Sequence, residues 1–218
     1  MSENPPAKRQ HGCLFYGCIA GAICLAAVLV GFLVLWHMFN KALNQFTDTK
    51  PTPLPALKLS QPEIEEVQRR FIQFRDAASD GRSTPPLELS YDDINALLAN
   101  APEFQDAKGK IYVQIEDDHL KAQVSVPMTD LGLRVFKGRY LNGTGTFKLS
   151  LQSGLLAITP VDIFVKGKPL PENYMIKIRQ QNFANGINNN SKASVALNRL
   201  QSAELHNGKL VLTPKQEK

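Results

Sequence analysis

The sequence predicts an α+β protein: one transmembrane helix followed by an antiparallel, curled β-meander packed against several helices. Three observations carry this reading. One stretch, Gly12 to Trp36, holds no formally charged residue. Further on, apolar and polar residues alternate in pairs of segments that match across short turns, as half-buried antiparallel hairpins require. Other segments repeat their apolar residues at steps of three and four, the period of a helix with one buried face.

Composition sets the outer limits. A chain of 218 residues with 43% hydrophobic and 21% charged residues, 14 Gly and 14 Pro is not collagen-like, a disulfide-rich miniprotein or a wholly disordered chain. A single long apolar stretch excludes a multi-span transporter. The three cysteines, Cys13, Cys18 and Cys24, all fall in that stretch, so no disulfide or thiolate metal site is expected beyond it. The net charge of +5 is spread along the chain and leaves no nucleic-acid footprint.

As a helix, Gly12–Trp36 would run roughly 37 Å, more than the roughly 30 Å of a hydrocarbon core. A cleaved secretory signal would be shorter and would end in a small-residue site. Here the stretch ends in Phe32, Leu33, Trp36 and Phe39, so a retained signal-anchor is expected over residues 12–37. Tyr16 and Trp36 suit the two interfacial belts. Gly17 and Gly21 form a G-x-x-x-G that permits close helix–helix contact. Lys8 and Arg9 precede the span, which places a tail of residues 1–11 in the cytoplasm and the carboxyl domain outside it.

Residues 38–60 read as a proline-rich stalk, because Pro51, Pro53 and Pro55 alternate with polar or aliphatic residues. The domain follows over residues 61–214, with a charged tail from 215 to 218. Ser60 and Glu63 form a capping box with Pro62 in the first turn. Ile64, Val67, Phe71, Phe74 and Ala78 then make one apolar stripe, ending near Asp80-Gly81. Leu87-Glu88-Leu89 is a short strand. Ser90 caps a second helix, with Asp93 reaching back and Ile94, Leu97 and Leu98 facing inward.

Three hairpins follow from matching alternation. With Asp117-Asp118 as the turn, Ile115 faces Leu120, Val113 faces Ala122 and Ile111 faces Val124. A Ser153-Gly154 turn sets Leu151 against Leu156 and Leu149 against Ile158, and Pro160 makes that second strand an edge or breaks it. An Asn207-Gly208 turn pairs Leu205 with Leu210 and Ala203 with Leu212. A third helix is expected from Asn173 to about Ala184, and a further helical stretch from Ser191 to Leu200.

The search for catalytic chemistry finds no constellation. Beyond the apolar stretch and its flanks only His119 and His206 remain, each beside a hairpin turn. There is no G-x-S-x-G, P-loop or dinucleotide fingerprint; Asn142-Gly143-Thr144-Gly145 lacks the third glycine. Glu116-Asp117-Asp118-His119 is rich in potential ligands, but acidic residues are ordinary turn formers and no regular ligand spacing is present. No catalytic residue, metal or cofactor is therefore expected.

The order Leu89-Ser90-Tyr91-Asp92-Asp93-Ile94-Asn95-Ala96-Leu97-Leu98, a meander, Val165-Lys166-Gly167-Lys168-Pro169-Leu170-Pro171, a helix and a last hairpin resembles the YpmS-like family of bacterial single-pass surface proteins. There a Leu-x-x-x-x-Ile-Asn-x-Leu-Leu helix precedes a long curled sheet. Through that family the chain resembles half of a tubular lipid-binding (TULIP-type) module. The resemblance implies a bacterial envelope protein with an apolar groove and no enzymatic activity.

Two functions are then expected in turn. The first is a membrane-anchored interaction or assembly domain, using Gly17, Gly21, Phe71 and Phe74 to contact a second copy or an envelope partner. The second is a tethered binding domain holding an acyl chain or other apolar ligand, with Leu149, Leu151, Leu156, Ile158, Ile163 and Val165 lining the groove. An envelope hydrolase or metal enzyme is a third reading without a site. The bilayer is the expected partner of residues 12–37; nucleic acid is not.

Overall fold

The computed structural model describes residues 13–215, with side chains of the first helix described from Val28 onward. The expected cytoplasmic tail (1–11), Gly12 and most of the charged tail lie outside the described residues. Gly17 and Gly21 fall where only the helical backbone is described.

The chain divides into two compact units at Gln45/Phe46. Helix α1 (Cys13–Phe46) forms the first and continues past the expected end at residue 37. Its large apolar side chains from Val28 to Phe39 are exposed, with Phe32 stacked on Trp36 at 6.2 Å. Among the described residues, no helix is long and apolar enough to cross a membrane.

The second unit is a mixed α+β domain. Its elements are α2 (Gln61–Ser79), β1 (Leu87–Ser90), α3 (Tyr91–Asn100), β2 (Ile111–Glu116), β3 (His119–Pro127), β4 (Tyr140–Gln152), β5 (Leu155–Val165) and β6 (Lys168–Pro169). After these come α4 (Glu172–Ile178), α5 (Asn185–Asn188), α6 (Ser191–Asn198), β7 (Leu200–His206) and β8 (Lys209–Pro214). Two antiparallel sheets result, a five-stranded meander β2-β3-β4-β5-β6 and a three-stranded sheet β1-β8-β7.

Local sequence explains the helix starts. The Glu63 carboxylate accepts from the Ser60 N–H and hydroxyl at 2.7 and 2.6 Å. Ser90 Oγ accepts from the Asp93 N–H (3.1 Å) while Asp93 accepts from the Ser90 N–H (2.9 Å), a reciprocal capping box. The three expected hairpins hold their registers: Ile115↔Leu120, Leu151↔Leu156 and Leu205↔Leu210 are all paired. A fourth tight turn, Lys166-Gly167, closes β5 on β6; both residues have positive φ (54° and 72°), as a primed hairpin turn demands.

The core lies where the far end of the long β4–β5 hairpin meets β7 and the helices. Val67, Phe74, Leu87, Leu89, Leu97, Leu156, Ala184, Leu197, Leu200 and Ala203 form one buried cluster. The α2 stripe is spent there, so Phe74 is 7% exposed. Phe71 packs on the same cluster and on the Phe104 ring at 6.2 Å. This corrects the expectation that Phe71 and Phe74 face a partner: the domain's own core takes them.

Two further expectations change. The helix expected to reach Ala184 stops at Ile178, because the chain then turns to serve the edge of β5. Asn182 Oδ1 accepts from the Ile158 N–H (3.0 Å), and the Phe183 N–H donates to Ile158 O (2.9 Å). The proline-rich stalk is fastened to the sheet over its middle part. Asp48 and Tyr140 exchange backbone bonds of 2.9 and 2.7 Å, Thr52 N–H donates to Ser125 Oγ (3.1 Å), and Gln123 donates to Pro53 O (3.2 Å). Asn142 donates to Lys50 O (2.9 Å), and a Lys166–Asp48 ion pair of 2.7 Å closes the strap.

Candidate functional site

The meander's inner face is built in rows. The register aligns Ile111–Val124–Gly143–Val165 in one row and Val113–Ala122–Gly145–Ile163 in the next. Each row has a branched aliphatic side chain at either end and a glycine inside it. A hollow of about 560 Å³ opens over this part of the sheet. That lies within the roughly 300–1,000 Å³ of small-molecule sites.

The glycines have a second role. A Cβ on Gly143 would stand 2.7 Å from the Phe164 carbonyl oxygen, and one on Gly145 would stand 2.8 Å from the Phe147 ring. Strand β5 thus approaches β4 more closely at Gly143 than any side chain allows, while the Phe147 ring lies down over Gly145 as part of the floor. Two edge-to-face aromatic pairs bound the hollow: Phe147 with Phe183 (5.5 Å) and Phe46 with Tyr174 (5.6 Å). Leu170 and Ile178 close over it from the α4 side.

None of the groove's lining residues is Asp, Glu, Lys, Arg, His or Cys, and Thr144 and Tyr174 bring its side-chain hydroxyls. Such a surface can exclude water and pack aliphatic carbon. Among the described residues no three His, Cys, Asp or Glu side chains converge on a metal position. In the acidic turn, His119 pairs with Asp118, and Glu116 pairs with Lys121 at 2.5 Å.

Of the six lining residues expected, Ile158, Ile163 and Val165 line the groove. Leu156 is in the core cluster, with Leu149 and Leu151 packed against it. The register shifts at a bulge, passing from Thr146↔Asp162 to Phe147↔Pro160 and leaving Val161 over. Phe147 and Ile158 beyond it still line the groove, and Leu156, farther along, joins Ala184, Leu197 and Ala203 in the core. Pro160, which has no N–H, sits at this irregularity on a strand whose outer edge pairs with a strand over only the two residues of β6.

Ala122, Gly143 and Gly145, which also line the hollow, had no place among the expected lining. Their signal is present in Leu141-x-Gly-x-Gly-x-Phe147, a period-two strand pattern in which glycine takes two inward positions.

The acid–base character of the domain lies away from the groove. The Lys166 ammonium, hydrogen-bonded to Asp48, holds that carboxyl below the ordinary aspartate range, and Asn142 adds to the effect. Lys110 does the same for Asp130. Burial pushes the Tyr112 phenol up. No family model matches this chain, and the searches of curated proteins and of solved structures find no match.

Proposed function

We propose that this protein is a membrane-anchored, non-enzymatic binding domain that holds an acyl chain or similar apolar ligand in the groove of its curled sheet. The observation that carries this reading is the open hollow over the sheet, walled by aliphatic and aromatic side chains with no Asp, Glu, Lys, Arg or His among them. The driving force is burial of hydrocarbon, about 0.8 kcal/mol per methylene, with no covalent step.

The anchor is the other half of the reading. Gly12–Trp36 carries no charge, and the large apolar side chains from Val28 to Trp36 are each more than half exposed. A helix apolar on every side calls for a non-aqueous surrounding. The resemblance to bacterial single-pass envelope proteins agrees with an extracytoplasmic domain. The reading as an assembly subunit is less well supported, because Phe71 and Phe74 are taken by the core.

The test uses the full chain in lipid nanodiscs containing a phospholipid with a diazirine on its acyl chain. After irradiation, cross-linked peptides from β3 and β4 are expected, and Ala122→Phe should remove them while leaving cross-links to α1. Cross-links confined to α1 in the unaltered protein would overturn the proposal.

A further inference from the structure

The connection between β3 and β4, residues 128–139, is an ordered loop with an unusual surface. Its backbone is folded on itself: Leu131 and Leu133 N–H both donate to Met128 O (3.2 and 3.1 Å), Phe136 N–H to Leu133 O (3.0 Å), and Met128 N–H to Arg139 O (2.8 Å). Lys110 ties it to the sheet through Asp130 at 2.7 Å. Yet Leu131 and Leu133 are 48% and 42% exposed, and Val135, at 83%, is the most exposed large apolar residue described. A loop this well bonded could turn such residues inward, and an aqueous surface gives it no reason to hold them out.

The same loop is basic. Arg134 and Lys137 flank Val135, and the loop's one acid, Asp130, is paired with Lys110. Protruding aliphatic residues among cations match the interfacial region of an anionic bilayer, where apolar tips enter the acyl boundary and cations meet headgroups. The loop also lies beside the point where the chain enters the domain: Arg139 Nε donates to Thr47 Oγ1 (2.6 Å) and Tyr140 is bridged to Asp48, and α1 ends at Phe46.

We infer that the 128–139 loop is a second, peripheral membrane contact, inserting Leu131, Leu133 and Val135 into the interface of an anionic bilayer. This rests on the anchoring reading above. It would give the domain a membrane contact of its own besides α1.

The experiment exploits the single tryptophan of the chain. Full-length protein is reconstituted in phosphatidylcholine/phosphatidylglycerol vesicles carrying bromine on their acyl chains. Three single-tryptophan forms are compared: the native chain reporting Trp36, Trp36→Phe/Val135→Trp, and Trp36→Phe/Leu155→Trp, an exposed apolar site at the opposite end of β4–β5. Insertion predicts a blue shift and several-fold stronger quenching of the Val135→Trp form than of the Leu155→Trp form, weakened by adding Arg134→Glu and Lys137→Glu. Equal quenching at both sites, with Trp36 quenched, overturns the loop insertion and leaves the anchor standing. An unquenched Trp36 overturns both.

Discussion

Asn95 and Val113 exchange two hydrogen bonds: the Asn95 amide nitrogen donates to Val113 O at 2.7 Å, and Val113 N–H donates to Asn95 Oδ1 at 2.8 Å. A side chain on α3 thereby completes the outer edge of β2 as a neighbouring strand would. The same amide nitrogen donates to Tyr91 O one helical turn back (2.7 Å). Asn95 is 3% exposed, so removing it strands two buried backbone groups, each costing about 1–3 kcal/mol. Asn95→Ala should lower stability by about 2–3 kcal/mol, seen as a melting temperature lower by roughly 5–10 °C. Asn95→Asp should be worse, since a carboxylate cannot donate to Val113 O and would be buried as a charge. Equal melting of native protein and Asn95→Ala would show the bonds contribute nothing.

The opposite edge is closed the same way. Asn188 and Asn182 both donate to Leu156 O (2.7 and 2.8 Å), and Asn188 Oδ1 accepts from Leu156 N–H (3.1 Å). Exposed strand edges recruit other chains. We expect Asn182→Ala/Asn188→Ala to raise aggregation and to form higher oligomers on size-exclusion chromatography, beyond the loss of stability alone. A double variant that is less stable yet runs like the native chain at every concentration would contradict this role.

Acid should loosen the strap that holds residues 47–53 on the sheet. The folded pKa of Asp48 is lowered, chiefly by its hydrogen bond with Lys166. A depressed carboxylate stabilises the fold above its unfolded pKa, near 4, and loses that contribution as pH falls through the folded value. Protection of the Asp48 and Thr52 amides, taken relative to their intrinsic exchange rates, should therefore fall below about pH 4. In Asp48→Asn that protection should be lower at pH 7 and depend less on pH across that window. An unchanged profile in the variant would mean that the strap is held by Asn142 and the backbone bridge alone.

Much of this fold was legible because hairpin register depends on local alternation. Ile111, Val113 and Ile115 can meet only Val124, Ala122 and Leu120 if one face is buried. The groove was less legible, since Leu149 and Leu151 carry the same alternation as Leu141 and Phe147. What separates core from hollow is the cover that Ala184, Leu197 and Ala203 give to Leu156, all distant in sequence. Asn182 and Asn188 look like helix breakers in a polar run, and their use as edge caps depends on where β5 lies. The strap was hidden for the same reason: Ser125 and Asn142, which hold it, are more than seventy residues from Thr52.

Whether the sheet encloses a hollow or a filled core is decided by adding carbon at Ala122. This residue sits between Val113 and Gly145 in its row and lines the groove. In a filled core, Ala→Leu overpacks and costs about 1–3 kcal/mol. In an open apolar hollow the added carbons are buried without a clash and gain up to about 0.8 kcal/mol per methylene. Ala122→Leu should therefore hold or raise the melting temperature while reducing acyl-chain capture. Gly143→Ala is the counterpart, since its Cβ would meet the Phe164 carbonyl oxygen at 2.7 Å and backbone must shift to admit it. It should destabilise the domain although it adds less volume. If Ala122→Leu proves the more damaging of the two, the hollow is not there to be filled.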